Sequence, residues 1–102
     1  MDGQLTYQQW ELSDKPDFLI YWATEKWGKR LVGRVKQTPA PHGVITWSFS
    51  INPPMPIPAF GHGRADTKDQ ALLLFKEAFA RFVDEHTDAD FEAAWKTLDK
   101  VR

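Results

Sequence analysis

Residues 44–51 read Val44-Ile45-Thr46-Trp47-Ser48-Phe49-Ser50-Ile51, and this octet decides the fold. Ile45, Trp47, Phe49 and Ile51 alternate with Thr46, Ser48 and Ser50. Successive side chains of a strand point to opposite faces, so one face is apolar and the other carries hydroxyls. The pattern predicts a half-buried antiparallel strand, with one face on a core and one in water.

Upstream, the chain reads as more strands of the same kind. Asp17 to Thr24 (DFLIYWAT) is rich in aromatic and β-branched residues, the composition of a strand. Glu25-Lys26-Trp27-Gly28 is a hairpin connection, with Gly28 free to take a positive φ. Lys29 to Thr38 is the next strand. Strict alternation sets Leu31, Gly33 and Val35 on one face and Arg30, Arg34 and Lys36 on the other, with Val32 among the bases. Pro39 to Gly43 is a loop. Residues 1–15 suit either a short helix, through a Thr6-Tyr7-Gln8-Gln9 capping box, or a strand carrying Tyr7, Trp10 and Leu12. The extended reading is preferred.

Downstream, the pattern changes. Pro53, Pro54, Pro56 and Pro58 fall within residues 52–64. Proline lacks an N–H and fixes φ, so this segment is read as an extended crossover, with Met55, Ile57 and Phe60 free to pack. Docking of the proline run onto an SH3 or WW groove is the lesser reading. Thr67 with Gln70 is a capping box. Behind it Ala71, Leu74, Phe75, Ala78, Phe79, Phe82 and Val83 form one helical stripe. Asp88 is read as the cap of a second helix, in which Phe91, Ala94, Trp95 and Leu98 repeat at three and four.

The fold class that follows is α+β, a two-layer sandwich in the order (β)βββαα. A three- to four-stranded antiparallel meander packs on a long helix, and a second helix lies at the C-terminus. The chain of 102 residues is expected to form a single domain over 1–102. Fourteen aromatic residues, five of them Trp, supply a core without a disulfide or metal staple. With no cysteine, disulfide frameworks, thiolate zinc sites and thiol catalysis are excluded. There is no 18-residue apolar run and no secretory signal pattern, so a cytoplasmic, bacterial protein without a membrane segment is expected.

The net charge of −1 hides an asymmetry. Residues 1–25 hold five acids and one base, residues 26–65 six bases and no acid, and residues 66–102 nine acids and six bases. A basic centre between acidic flanks suits an anionic partner. It equally suits sheet strands whose Lys and Arg simply face water.

Two pieces of the chain carry a resemblance. One is Trp47-Ser48-Phe49. The other is Gly63-Arg64-Ala65-Asp66-Thr67, followed by Ala71 and by Phe75-Lys76-Glu77-Ala78-Phe79. Together they resemble a group of small uncharacterised bacterial and phage proteins. In that group a W-x-W-type strand precedes a G-x-A-x-T helix start and an A-x-x-x-F-x-x-A-W-like helix. Phe49 and Phe79 stand where that pattern has Trp. The resemblance covers residues 29–83, about half the chain. It implies a ββ(β)α unit of unassigned activity and brings no catalytic residue with it. The order of elements is also similar to HicB-type antitoxin domains and to double-stranded-RNA-binding domains, without the basic helix start and signature loop of the latter.

Three kinds of site are open. The leading expectation is a non-enzymatic interaction module, bound to a protein partner or to a second copy through Trp27, Phe91 and Trp95. The second is nucleic acid on the basic sheet face, through Arg30, Arg34, Lys36 and Ser48 with a stacking ring from Trp22 or Tyr21. The third is an anion at the Gly61–Thr67 helix start, held by His62, Gly63, Arg64 and Lys68. His42, His62 and His86 stand alone in sequence, no nucleophile elbow appears, and the acid pairs Asp84/Glu85 and Asp88/Asp90 read as caps and solvated charge. No cofactor fingerprint is present.

Overall fold

The computed structural model describes residues 3–12, 14–39 and 41–100. Five strands come first: β1 (Gln4–Gln9), β2 (Asp17–Thr24), β3 (Gly28–Pro39), β4 (Ile45–Ile51) and β5 (His62–Ala65). Two helices follow, α1 (Lys68–Asp84) and α2 (Asp88–Lys100). The strands form one sheet in the order β1-β2-β3-β4-β5, each antiparallel to its neighbour. The fold is therefore α+β, as the periodicity predicts, and β1 is a strand.

Two corrections concern element bounds. The proline-rich crossover ends at Gly61, and His62–Ala65 adds a fifth strand beside β4. The prolines end at Pro58, so nothing in these last residues prevents ladder bonding. The cap of α2 is Thr87 and not Asp88. Thr87 Oγ1 accepts from Asp90 N at 3.2 Å, and Asp90 Oδ2 accepts from Thr87 N at 2.9 Å. At α1 the expected cap is present: Thr67 Oγ1 accepts from Gln70 N at 3.1 Å.

A bulge in β3 overturns the face assignment made by alternation. Ile20 pairs with Gly33, but Tyr21 pairs with Leu31, so Val32 is the extra residue. An extra residue reverses the facing of everything beyond it. Val32, Gly33 and Val35 are all buried, whereas Leu31 is exposed. Arg30 thus lies on the helix side of the sheet, and Arg34 and Lys36 lie on the outer side.

Both helices cover the same face. Ala71, Phe75, Phe79 and Phe82 of α1 are buried against Val35, Phe49, Ile51 and Ala65 of the sheet. Gly33 lets α1 approach, since a Cβ there would stand 2.0 Å from Phe75 Cε2 and 2.6 Å from the Ser50 carbonyl oxygen. Phe91 and Trp95 of α2 are also buried, and Phe91 meets Trp22 at 5.2 Å and Phe82 at 5.9 Å between ring centroids. Burying each such ring contributes about 2–3 kcal/mol. Pro53 is buried, Met55 and Phe60 pack on the same core, and Ile57 remains exposed. No helix of the described residues is long and apolar enough to cross a membrane.

Candidate functional site on the uncovered sheet face

The face of the sheet opposite the helices carries two polar rows. Lys36 pairs directly with Ser48, and Ser48 with Arg64, across β3, β4 and β5. Arg34 pairs with Ser50, and Ser50 with His62, in the next row. Facing follows from packing: Trp47, Phe49 and Ile51 turn to the core, so Ser48 and Ser50 turn outward. Gly63 lies over the Phe49 ring and Ala65 is buried, so His62 and Arg64 also turn outward. The rows are about 7 Å apart along the strands, and neighbouring strands about 4.8 Å apart.

Lys36, Ser48, Ser50, His62 and Arg64 line a shallow concavity of about 380 Å³. Two hydroxyls lie at its floor between basic groups on either side. This donor set suits a phosphate or another oxyanion, because ammonium, guanidinium and hydroxyl groups all donate to anionic oxygen. The His62 ring is pinned through Nδ1, which donates to the Ala59 carbonyl at 3.1 Å. The sheet-face and helix-start expectations therefore meet in one place, which neither expectation alone describes. Strand β5 is what joins them.

The remaining candidates separate from this tract. Arg34 is on the outer face, but Asp17 neutralises it. Its Nε donates to Asp17 Oδ1 at 2.7 Å, and its Nη2 to Oδ2. That hydrogen bonding holds the guanidinium above its ordinary value. Trp10 covers the Arg34 guanidinium at 5.0 Å. Arg30 is across the sheet, over the Trp95 ring at 5.3 Å and bidentate to Asp99 at 2.8 and 3.0 Å. Trp22 is buried under both helices and offers no stacking face; Tyr21, the other ring named, is on the outer side, with Lys29 Nζ 4.5 Å from its ring. Lys68 is on the helix side, 5.0 Å above the Phe18 ring, and Thr67 and Gln70 engage the main chain of the helix start.

Two of the three expected contact residues are enclosed within the chain. Phe91 and Trp95 are buried, which corrects the expectation that they face a partner. Trp27 is half-buried and folds back on Trp22 at 5.8 Å and on Phe91 at 5.9 Å. Sequence reading names Tyr21 as the alternative ring but misses Lys29 and Trp10 as its neighbours and those of the basic groups. Only the bulge and the β1–β2 turn bring them together.

Comparison of the chain with protein-family models, with curated proteins and with solved structures gives no match.

Proposed function

We propose that this protein is a non-enzymatic binding module that takes single-stranded nucleic acid on its uncovered sheet face. The observation that supports the reading is the cross-strand row Lys36–Ser48–Arg64 beside Ser50 and His62. Around it, Tyr21 and Trp10 are partly exposed aromatic rings, each next to a cation. A basic groove with rings for stacking suits an extended chain of phosphates and bases. Asp17 is the one acid among the strand residues, and it is bound to Arg34. The cytoplasm is the compartment this reading implies.

The test is fluorescence anisotropy of short labelled single strands at low and moderate salt. Binding is expected to weaken steeply with salt. In the Lys36→Ala/Arg64→Ala protein the slope of log affinity against log salt should flatten by about 1.4, for two phosphate contacts at ~0.7 each. No binding at low salt, or binding that the double substitution leaves unchanged, rejects the reading.

A further inference from the structure

The two edges of the sheet are built differently. Strand β5 has four residues, two of which are His62 and Arg64. Short length and charge are the ordinary means of blocking an edge. Strand β1 has six residues, Gln4-Leu5-Thr6-Tyr7-Gln8-Gln9, with no charge, no proline and no bulge against β2. All but Leu5 are exposed.

The free main-chain groups of β1 can be assigned. Trp10 N–H donates to the Asp17 carbonyl at 2.8 Å, so position 10 turns its main chain toward β2. By alternation Gln4, Thr6 and Gln8 do the same, and Leu5, Tyr7 and Gln9 turn their N–H and C=O groups to the open edge. Beside that edge, on the helix side, Leu5, Trp22, Lys76, Phe79, Ala80 and Val83 line a concavity of about 470 Å³. The Tyr7 ring, on the same side, is 52% exposed.

We propose that β1 pairs antiparallel with β1 of a second copy, about a two-fold axis at Thr6. Three features favour a copy of this chain over another strand. A two-fold axis sets like residues near one another, which a charged strand resists and this uncharged one permits. Matching of faces allows only pairings of like parity. The Thr6-centred one sets Leu5 of each copy against Tyr7 of the other, through four main-chain bonds from the groups that face outward. That pairing also carries each exposed Tyr7 ring to the concavity beside Leu5 of the other copy. The result is a ten-stranded sheet with both Lys36–Arg64 tracts on one face. The inference rests on the opposite edge from those tracts, so it stands or falls separately from the nucleic-acid reading.

Sedimentation velocity of nuclease-treated protein, from micromolar to near-millimolar concentration, tests it. The unaltered chain should show a monomer–dimer equilibrium. Thr6→Lys and Thr6→Glu, at an exposed outer-face position, should each be monomeric, and an equal mixture should regain the dimer. Tyr7→Pro removes an outward N–H together with the ring and should also be monomeric. Circular dichroism confirms that each variant is folded. A monomer throughout the range, a dimer that survives these substitutions, or a mixture that stays monomeric overturns the proposal.

Discussion

Arg30 and Arg34 are four residues apart on one strand and face opposite sides of the sheet. Arg30 bridges to Asp99 of α2 and covers Trp95, whereas Arg34 is bound by Asp17 on the outer side. Neither side chain is therefore a free cation. Among the described strand residues, Lys29, Lys36 and Arg64 are the outer-face cations that make no ion pair.

Arg30→Ala is expected to leave oligonucleotide binding unchanged. It removes one partly exposed ion pair and one ring contact, so denaturant unfolding should show a loss of about 1 kcal/mol. A fall in affinity with unchanged stability would contradict the placement of Arg30 on the helix side.

Asp17→Asn should act in opposite directions on stability and binding. Asp17 is buried and its partner side chain is 32% exposed, so the cost lies between that of an exposed and of a buried pair, about 2 kcal/mol. The same change frees the Arg34 guanidinium and removes the one strand acid. Single-strand affinity at low salt should rise, as anisotropy would show.

Gly33→Ala should destabilise by about 3 kcal/mol, at the upper end for overpacking. The added methyl group meets both the Phe75 ring and the Ser50 carbonyl, and the carbonyl belongs to the sheet itself. Thermal unfolding measures the loss. Trimming the ring in a Gly33→Ala/Phe75→Leu protein should recover part of it.

Phe91→Ala should cost about 3–5 kcal/mol, as truncation of a fully enclosed ring does. Phe91 lies among Trp22, Trp27, Phe82 and Trp95. A large stability loss read by denaturant unfolding agrees with a core residue; an unchanged stability with altered association would return it to the surface.

Acid should loosen the start of α2. Thr87 N–H and Oγ1 hold the Asp90 carboxylate below its ordinary value of 3.8. A carboxylate lowered in the folded state adds stability above its unfolded value, and that stability is lost as pH falls through the folded value. Asp90→Asn should flatten this acid-side decline, read as helical circular dichroism between about pH 5 and pH 2.

Much of the architecture was legible because period and capping are local. The Trp47/Phe49/Ile51 alternation, the Phe75/Phe79/Phe82 stripe and the Thr67–Gln70 cap each depend on a few adjacent residues, and each is present as read. Strand β5 was not legible, since four residues with two glycine-flanked polar side chains show no alternation of their own; pairing with β4 makes them a strand. Nor was the bulge at Val32. A run of Arg-Leu-Val-Gly-Arg-Val alternates plausibly in either phase, and burial of both Val32 and Gly33 settles the phase only once α1 is in place. The site followed the same division. Lys36, Ser48, His62 and Arg64 were each singled out, but in two separate sets, because their union is a product of the β4–β5 register.

The bulge at Val32 also gives β3 one residue of slack. Removing Val32 would leave a regular ladder in which Gly33 still lies opposite Ile20 and Arg30 opposite Trp22, so the arginine would keep its place against α2. Straightening the strand at constant length would instead exchange which of Lys29 and Arg30 faces α2. Loss of a residue is therefore tolerated at this point, where loss of the irregularity is not.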